Sequence, residues 1–267
     1  MNIVDSHNHI HFRAFGHDRE EVLGRAYDGG VTSMLTIGID PNDCEKALDL
    51  ARVYKGVFAS IGIHPQNADK YGVKEVQNLA ELCNDPCVVA IGETGFDLFR
   101  TPESEPRQKD LFAAHIELAR QLRLPLVIHD RQAHKQTLQV MNDTKAWPIG
   151  GVFHCFSGDA QLARIVTGNG FFISIPGVVS FKNAHVLKDV VNRTPLEFLL
   201  VETDAPYLTP EPFRGKRNEP LYVIKVVDEI ARIKKTSTEE IARVTSENFS
   251  RLFLRDACPK LKVRLEG

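Results

Sequence analysis

The chain has 267 residues, 43% hydrophobic and 25% charged. These are ordinary globular proportions, which exclude a disordered chain, a collagen and a fibrous repeat. The length is short for two large domains and is often used by a single α/β barrel. With 33 Lys and Arg against 35 Asp and Glu, the net charge is -2, which excludes a generally basic nucleic-acid coat protein but not a local basic patch. The five cysteines, Cys44, Cys83, Cys87, Cys155 and Cys258, contain no C-x-x-C. An odd count without such pairs is no secreted disulfide framework, so a reducing cytoplasm is the expected location. The opening MNIVDSHNHI has no signal-peptide pattern, and no run of eighteen apolar residues occurs; no membrane span is expected.

Short β-branched runs alternate with longer helical patterns. In chain order the runs predict strands at Ile3–Ser6, Thr32–Ile37, Val57–Ile63, Val88–Ile91, Leu124–Ile128, Gly151–Cys155, Phe171–Ile175 and Phe198–Val201. Continuous apolar runs suit strands buried on both faces. Asp40-Pro41 reads as an N-cap followed by an N1 proline. From about Arg107 to Leu122, Leu111, Ala114, Leu118 and Leu122 fall on one helical face. Ser237 and Glu240 read as a capping box for a late helix. The longest expected loop, Thr209 to Pro220, holds three prolines and three basic residues. Eight strand–helix units predict a (β/α)8 TIM barrel with extra C-terminal helix or helices, as one domain over residues 1–267. A doubly wound sheet is the alternative, but no G-x-G-x-x-G follows the first strand.

Polar residues recur at strand ends, where barrels of this class build their active sites. His7 and His9 close the first strand, two apart and so on one face; His11 continues the alternation and is expected at the mouth. His64 follows the third strand. Glu93 follows the fourth, where a buried carboxylate needs a partner or a metal. His129 ends the fifth, His154 lies at the sixth and Asp204 follows the eighth. Glu202, two before Asp204, reads either as orienting a ligand from behind or as one half of a salt bridge. Four histidines, a glutamate and an aspartate make a mixed N/O donor set suited to Zn²⁺, with Mn²⁺ or Mg²⁺ as alternatives. Two such ions would activate a water and clamp a phosphoryl or carbonyl oxygen, which is hydrolysis.

The blocks DSHNH (Asp5 to His9), IGIHP (Ile61 to Pro65), IGETGFD (Ile91 to Asp97), LPLVIHDRQA (Leu124 to Ala133), VFHCFSG (Val152 to Gly158), ETDAPYL (Glu202 to Leu208), RGKRNEP (Arg214 to Pro220) and SENFSRLF (Ser246 to Phe253) span the chain. Together they closely resemble the TatD family of metal-dependent deoxyribonucleases, in the amidohydrolase superfamily. The resemblance implies a barrel with two divalent ions and phosphodiester hydrolysis. By that likeness His7, His9, Glu93 and Asp204 hold one ion. Glu93 bridges to a second, held with His129 and His154. Asp204 also serves as base for the nucleophilic water, and His64 contacts the substrate phosphate. His11 departs from the family's frequent aspartate, and Phe96 from its frequent leucine.

Arg131, after the fifth strand, and Arg214, Lys216 and Arg217, after the eighth, are candidate phosphate contacts. Phe96, Phe99, Phe156 and Tyr207 lie just beyond strand-end ligands and are candidates either for base stacking or for packing. The expected activity is an exonuclease acting on single-stranded or frayed DNA 3′ ends, with DNA as its partner, no membrane, no obligate protein partner and a monomeric state. The alternatives are an ester or amide hydrolase, such as an aminoacyl-tRNA deacylase or a small-molecule amidohydrolase, and a non-catalytic metal-bound scaffold.

Overall fold

The structure, a computed structural model, describes residues 2–254. Its elements are β1 (Ile3–Asn8), α1 (Arg19–Asp28), β2 (Val31–Ile37), α2 (Pro41–Val53), β3 (Val57–Ile61), α3 (Val73–Asn78), β4 (Val88–Asp97), α4 (Glu105–Leu122), β5 (Leu126–Arg131), α5 (His134–Asp143), β6 (Gly151–Phe153), α6 (Ala160–Gly168), β7 (Phe172–Ile175), α7 (His185–Arg193), β8 (Leu199–Val201), α8 (Val223–Lys234) and α9 (Thr238–Phe253). All eight predicted strands are present, in one sheet ordered β1 to β8. Strands in sequence order, each followed by a helix, define the (β/α)8 TIM-barrel class. The extra C-terminal helix is α9.

Two compact units divide the chain. The first joins the chain up to Thr36 to Cys155–Gly168 and Phe172–Arg251; the second is Ile37–His154 with Asn169–Phe171 and, of the described residues, 252–254. In the first unit β1 pairs in parallel with β2, and β7 with β8. All six residues of β1 are buried, which explains its unbroken run of uncharged or internally bonded residues. Asn248 of α9 donates its amide to the Leu196 and Leu199 carbonyls, both at 2.8 Å. Ser246 Oγ donates to the Asn2 carbonyl at 3.0 Å, so the last helix secures both the approach to β8 and the start of β1.

In the second unit β3, β4, β5 and β6 pair in parallel. The Asp40 side chain accepts the Asp43 amide at 3.0 Å, the expected N-cap of α2. β4 runs six residues further than its apolar core predicts, through Asp97, and all ten of its residues are buried. Two glycines permit this. Gly92 and Gly95 adopt φ of +138° and +127°, and a Cβ there would stand 2.3 Å from the Val127 carbonyl oxygen and 2.2 Å from that of His129. Only glycine takes such angles and lets the strands approach so closely. Helix α4 buries Gln108, Leu111, Phe112, His115, Ile116, Leu118 and Ala119; of the predicted face Leu111 and Leu118 are buried, whereas Ala114 and Leu122 are only partly so. Its polar members serve β4: the Gln108 carbonyl oxygen accepts the Asp97 amide at 2.8 Å.

Candidate metal centre

Each unit holds a cluster of potential ligands. In the first, His7 is the last residue but one of β1 and His9 follows the strand. Their Nε2 atoms stand 3.7 and 3.5 Å from Asp204 Oδ1. Backbone bonds set this spacing: the Asp204 amide donates to the His7 carbonyl at 2.9 Å, and the His9 amide to that of Ala205 at 2.8 Å. Asp204 itself has φ +55°, a left-handed turn that aspartate tolerates better than most residues. Behind the histidines, Asp5 is fully buried and accepts the Thr203 amide at 2.9 Å, the Thr203 hydroxyl at 2.6 Å and the Asn8 side-chain amide at 3.1 Å. Burial raises the Asp5 pKa to about 7, against the lowering effect of these bonds. Asp5 thus ties β1 to the turn that carries Asp204.

In the second unit Glu93 sits inside β4 rather than at its end. Its Oε1 lies 2.6 Å from His129 Nδ1, 2.6 Å from His154 Nε2 and 3.3 Å from His64 Nε2. The two nearer imidazole nitrogens are 3.1 Å apart. His64 is held by accepting the Gln66 amide on Nδ1 at 3.1 Å. Burial lowers the pKa of His64, against the pull of Glu93. Burial also opposes charge on His129, but Asp97 and Glu93 outweigh it and raise its pKa. Asp97 stands 3.4 Å from His129 Nε2 and accepts the Gln66 side-chain amide at 2.6 Å and the Arg100 amide at 2.9 Å. Burial works against ionisation of Asp97, but these neighbours prevail and hold its carboxyl well below the usual range.

The residues fit divalent ions. In tetrahedral ligation with bonds of about 2.1 Å, donor atoms stand about 3.4 Å apart. The first cluster's spacings of 3.5 and 3.7 Å match that edge. The second cluster is tighter at Glu93 and would open by less than an ångström to the same edge. His7, His9 and Asp204, and separately His64, Glu93 and His129, bring their donor atoms within 4.8 Å of one another.

The remaining sequence-predicted residues divide by environment. Glu202 is fully buried, and its Oε1 accepts the Cys155 amide, one residue past His154, at 2.8 Å. Arg131 ends β5, two residues beyond His129. Arg217 is turned onto Asp18, with Nη1 at 2.9 Å and Nη2 at 2.6 Å from its two oxygens, and lies over the Phe15 ring. Arg214 lies over Phe181. His11 bonds Thr36 Oγ1 through Nδ1 at 2.7 Å. Phe96 and Phe156 are buried in the core, whereas Phe99 and Tyr207 are exposed. Asp5, Thr203 and Asp97 were not singled out from the sequence. Their signal was parity: Asp5 lies two before His7, and Asp97 four after Glu93, on the same strand faces.

Strand-end imidazoles and carboxylates on this fold define a metal-dependent hydrolase, and the comparisons with known proteins agree. The TatD related DNase family matches residues 4–254. The chain is 39% identical to the uncharacterized metal-dependent hydrolase YabD of Bacillus subtilis, over 94% of this chain and 98% of that one. It is 34% identical to the 3′-5′ ssDNA/RNA exonuclease TatD of Cronobacter sakazakii, over 92% and 95%. Among solved structures, the TatD homologue YjjV of Escherichia coli superposes with a TM-score of 0.88 at 30% identity, over 94% of this chain and 98% of that one. The chain belongs to the TatD family. Among the described residues, no helix is long and apolar enough to cross a membrane.

Proposed function

We propose that this protein is a nuclease that hydrolyses phosphodiester bonds at single-stranded or frayed DNA 3′ ends. The observation that carries the reading is the convergence of three imidazoles on Glu93 Oε1, at 2.6, 2.6 and 3.3 Å, together with a separate ion-spaced trio at His7, His9 and Asp204. One ion would be held by His7, His9 and Asp204. A second would be held by Glu93, His129 and His154. Zn²⁺, Mn²⁺ and Mg²⁺ all accept such donors. Bound divalent ions lower the pKa of water and stabilise charge on phosphoryl oxygens.

The chain's own groups supply the rest. Asp204 Oδ1, 16% exposed as a side chain, is the base that takes the proton of the attacking water. His64, with Nε2 facing Glu93 and its other nitrogen occupied by the Gln66 amide, is oriented to donate to a phosphate oxygen. Arg131 supplies a guanidinium for a neighbouring phosphate. Arg217 would reach a phosphate only by leaving Asp18, so its part is to fix the loop after β8. Glu202 keeps His154 in place through the Cys155 amide. The relative named as a 3′-5′ ssDNA/RNA exonuclease supports the substrate class and polarity.

The test uses single-stranded DNA oligonucleotides labelled at the 3′ or 5′ end, incubated with Mg²⁺, Mn²⁺ or Zn²⁺ and with Asp204→Asn as control. A metal-dependent ladder shortening from the 3′ end, lost in the variant, is the expected result. Intact DNA after incubation with folded, metal-loaded protein overturns the reading and turns attention to ester and amide substrates.

A further inference from the structure

Most arginines near the strand ends are committed to the protein itself. Arg217 holds Asp18, and Arg19 holds the Ile10, His11 and Phe12 carbonyls. Arg131 and Arg100 are different. Among the described residues, neither guanidinium hydrogen-bonds or pairs with a carboxylate, and both pack on one ring. Arg131 Cζ lies 4.3 Å from the Phe99 centroid, and Arg100 Cζ 5.5 Å. Phe99 is 49% exposed, in contrast to Phe96, three residues earlier, at 1%. A half-exposed phenylalanine carrying two uncommitted cations puts an accessible aromatic ring and positive charge at one place.

Its place in the fold connects it to the candidate centre of the second unit. Asp97 at the end of β4 pairs in register with Arg131 at the end of β5, and the Leu98 amide donates to the Arg131 carbonyl at 3.0 Å. The Asp97 carboxylate receives the Arg100 amide on one oxygen and stands 3.4 Å from His129 Nε2 with the other. One carboxylate therefore fixes both the Phe99 turn and a candidate ligand. Arg131 lies two residues past His129 on the same strand face, about 7 Å further along.

We propose that Phe99, flanked by Arg131 and Arg100, is a stacking platform for an unpaired nucleobase next to the phosphodiester at the Glu93–His129 cluster. The proposal rests on the nuclease reading and specifies how that site selects unpaired ends. A base would stack on the exposed part of the ring, a contact any base can use, and the two guanidiniums would meet the phosphates on either side. A paired base must first be unpaired and unstacked to take this position, at a cost that an unpaired base does not bear, so single-stranded ends are favoured.

The experiment measures cleavage of a single-stranded oligonucleotide, and of the same oligonucleotide with an abasic residue scanned along its last few positions, by the wild type, Phe99→Ala and Phe99→Trp. Wild type should lose about tenfold in kcat/KM on the abasic substrate at one position, within the range of a single base–aromatic stack. Phe99→Ala should lose a similar factor on the intact oligonucleotide and be nearly indifferent to the abasic residue, and Phe99→Trp should restore the discrimination. Equal sensitivity of wild type and Phe99→Ala at every scanned position overturns the platform. Binding of the same oligonucleotides to metal-loaded Asp204→Asn, followed by fluorescence anisotropy, separates the two claims. Base-dependent binding lost on adding Phe99→Ala, without cleavage by the wild type, leaves the platform and removes the nuclease reading. Absence of binding to either oligonucleotide overturns the platform itself.

Discussion

The His7–His9–Asp204 cluster and the Glu93–His64–His129–His154 cluster use the same donor chemistry but are held differently. In the first, main-chain bonds and the buried Asp5 clamp fix the spacing, and the two histidine nitrogens stand 3.5 and 3.7 Å from Asp204 Oδ1. In the second, the side chains bond directly to one oxygen of Glu93, at 2.6 Å for the nearest two. A site spaced by its backbone is preorganised for an ion, whereas one spaced by its own hydrogen bonds must exchange those bonds for ligation. The two should differ in affinity and in how each tolerates substitution.

The largest effect is expected at Asp204. Asp204→Asn keeps the size of the side chain and removes both the charge and the base, so turnover should fall by at least about a hundredfold. Near-wild-type rates, with unchanged circular dichroism, would sink the role assigned to it. Glu93→Ala takes away the shared acceptor of three imidazoles and should lower metal content by elemental analysis; full occupancy in that variant refutes its part in ligation. Asp5→Asn leaves the ligands untouched but places a donor where Asp5 accepts, so metal affinity of the first cluster should weaken by about 10- to 100-fold, as for other groups that orient ligands. Calorimetric titration of metal-free protein checks this, and an unchanged first binding step would show that the spacing does not depend on the clamp. The same titration should resolve two steps in the wild type, the tighter lost in His9→Ala and the weaker in His154→Ala. The reverse assignment breaks the comparison.

The smallest effect concerns the helix behind the second cluster. His115 is fully buried and accepts the Ile63 amide on Nε2 at 3.0 Å, so its proton is on Nδ1, which donates to the Leu111 carbonyl at 2.7 Å. Burial lowers its pKa to about 4, against the raising effect of the Leu111 carbonyl. A histidine depressed in this way favours the folded state fully above the ordinary value near 6.5, and that contribution fades as pH falls towards 4. Stability should thus decline by about 1 kcal/mol per pH unit across that window from this residue alone. Urea midpoints at pH 7 and pH 5 measure it, and His115→Gln should flatten the difference. An equal pH dependence in the variant assigns the effect elsewhere.

The strand order and the positions of the clustered imidazoles and carboxylates were legible because both depend on local pattern. Apolar runs marked all eight strands, and His7, His9, Glu93, His129 and Asp204 stood where those runs end. Less legible was anything set by packing between distant residues. Glu93 lies within β4 because Gly92 and Gly95 carry the strand past the apolar stretch that ends at Ile91, where the sequence pattern stops it. The buried face of α4 includes His115 and Gln108, polar residues whose partners at Ile63 and Asp97 lie on other segments. Arg217 looked free to meet phosphate because nothing local announces Asp18, about 200 positions earlier in the chain, as its partner.

The division of the chain into two units also bears on the order in which the protein can mature on the ribosome. The second unit is almost one continuous stretch, Ile37–His154, and Glu93, His64, His129 and His154 have all been synthesised once His154 emerges. The first unit needs both ends: His7 and His9 must wait for Asp204, for the Asp5–Thr203 bonds and for the Ser246 contact to Asn2. At about 5–20 residues per second, the roughly 200 residues between His9 and Asp204 take about 10 to 40 seconds to make. During that interval the earliest histidines are exposed without the carboxylate they are built to face. The better preorganised cluster is therefore the later one to form, and metal capture during synthesis would begin at the looser one.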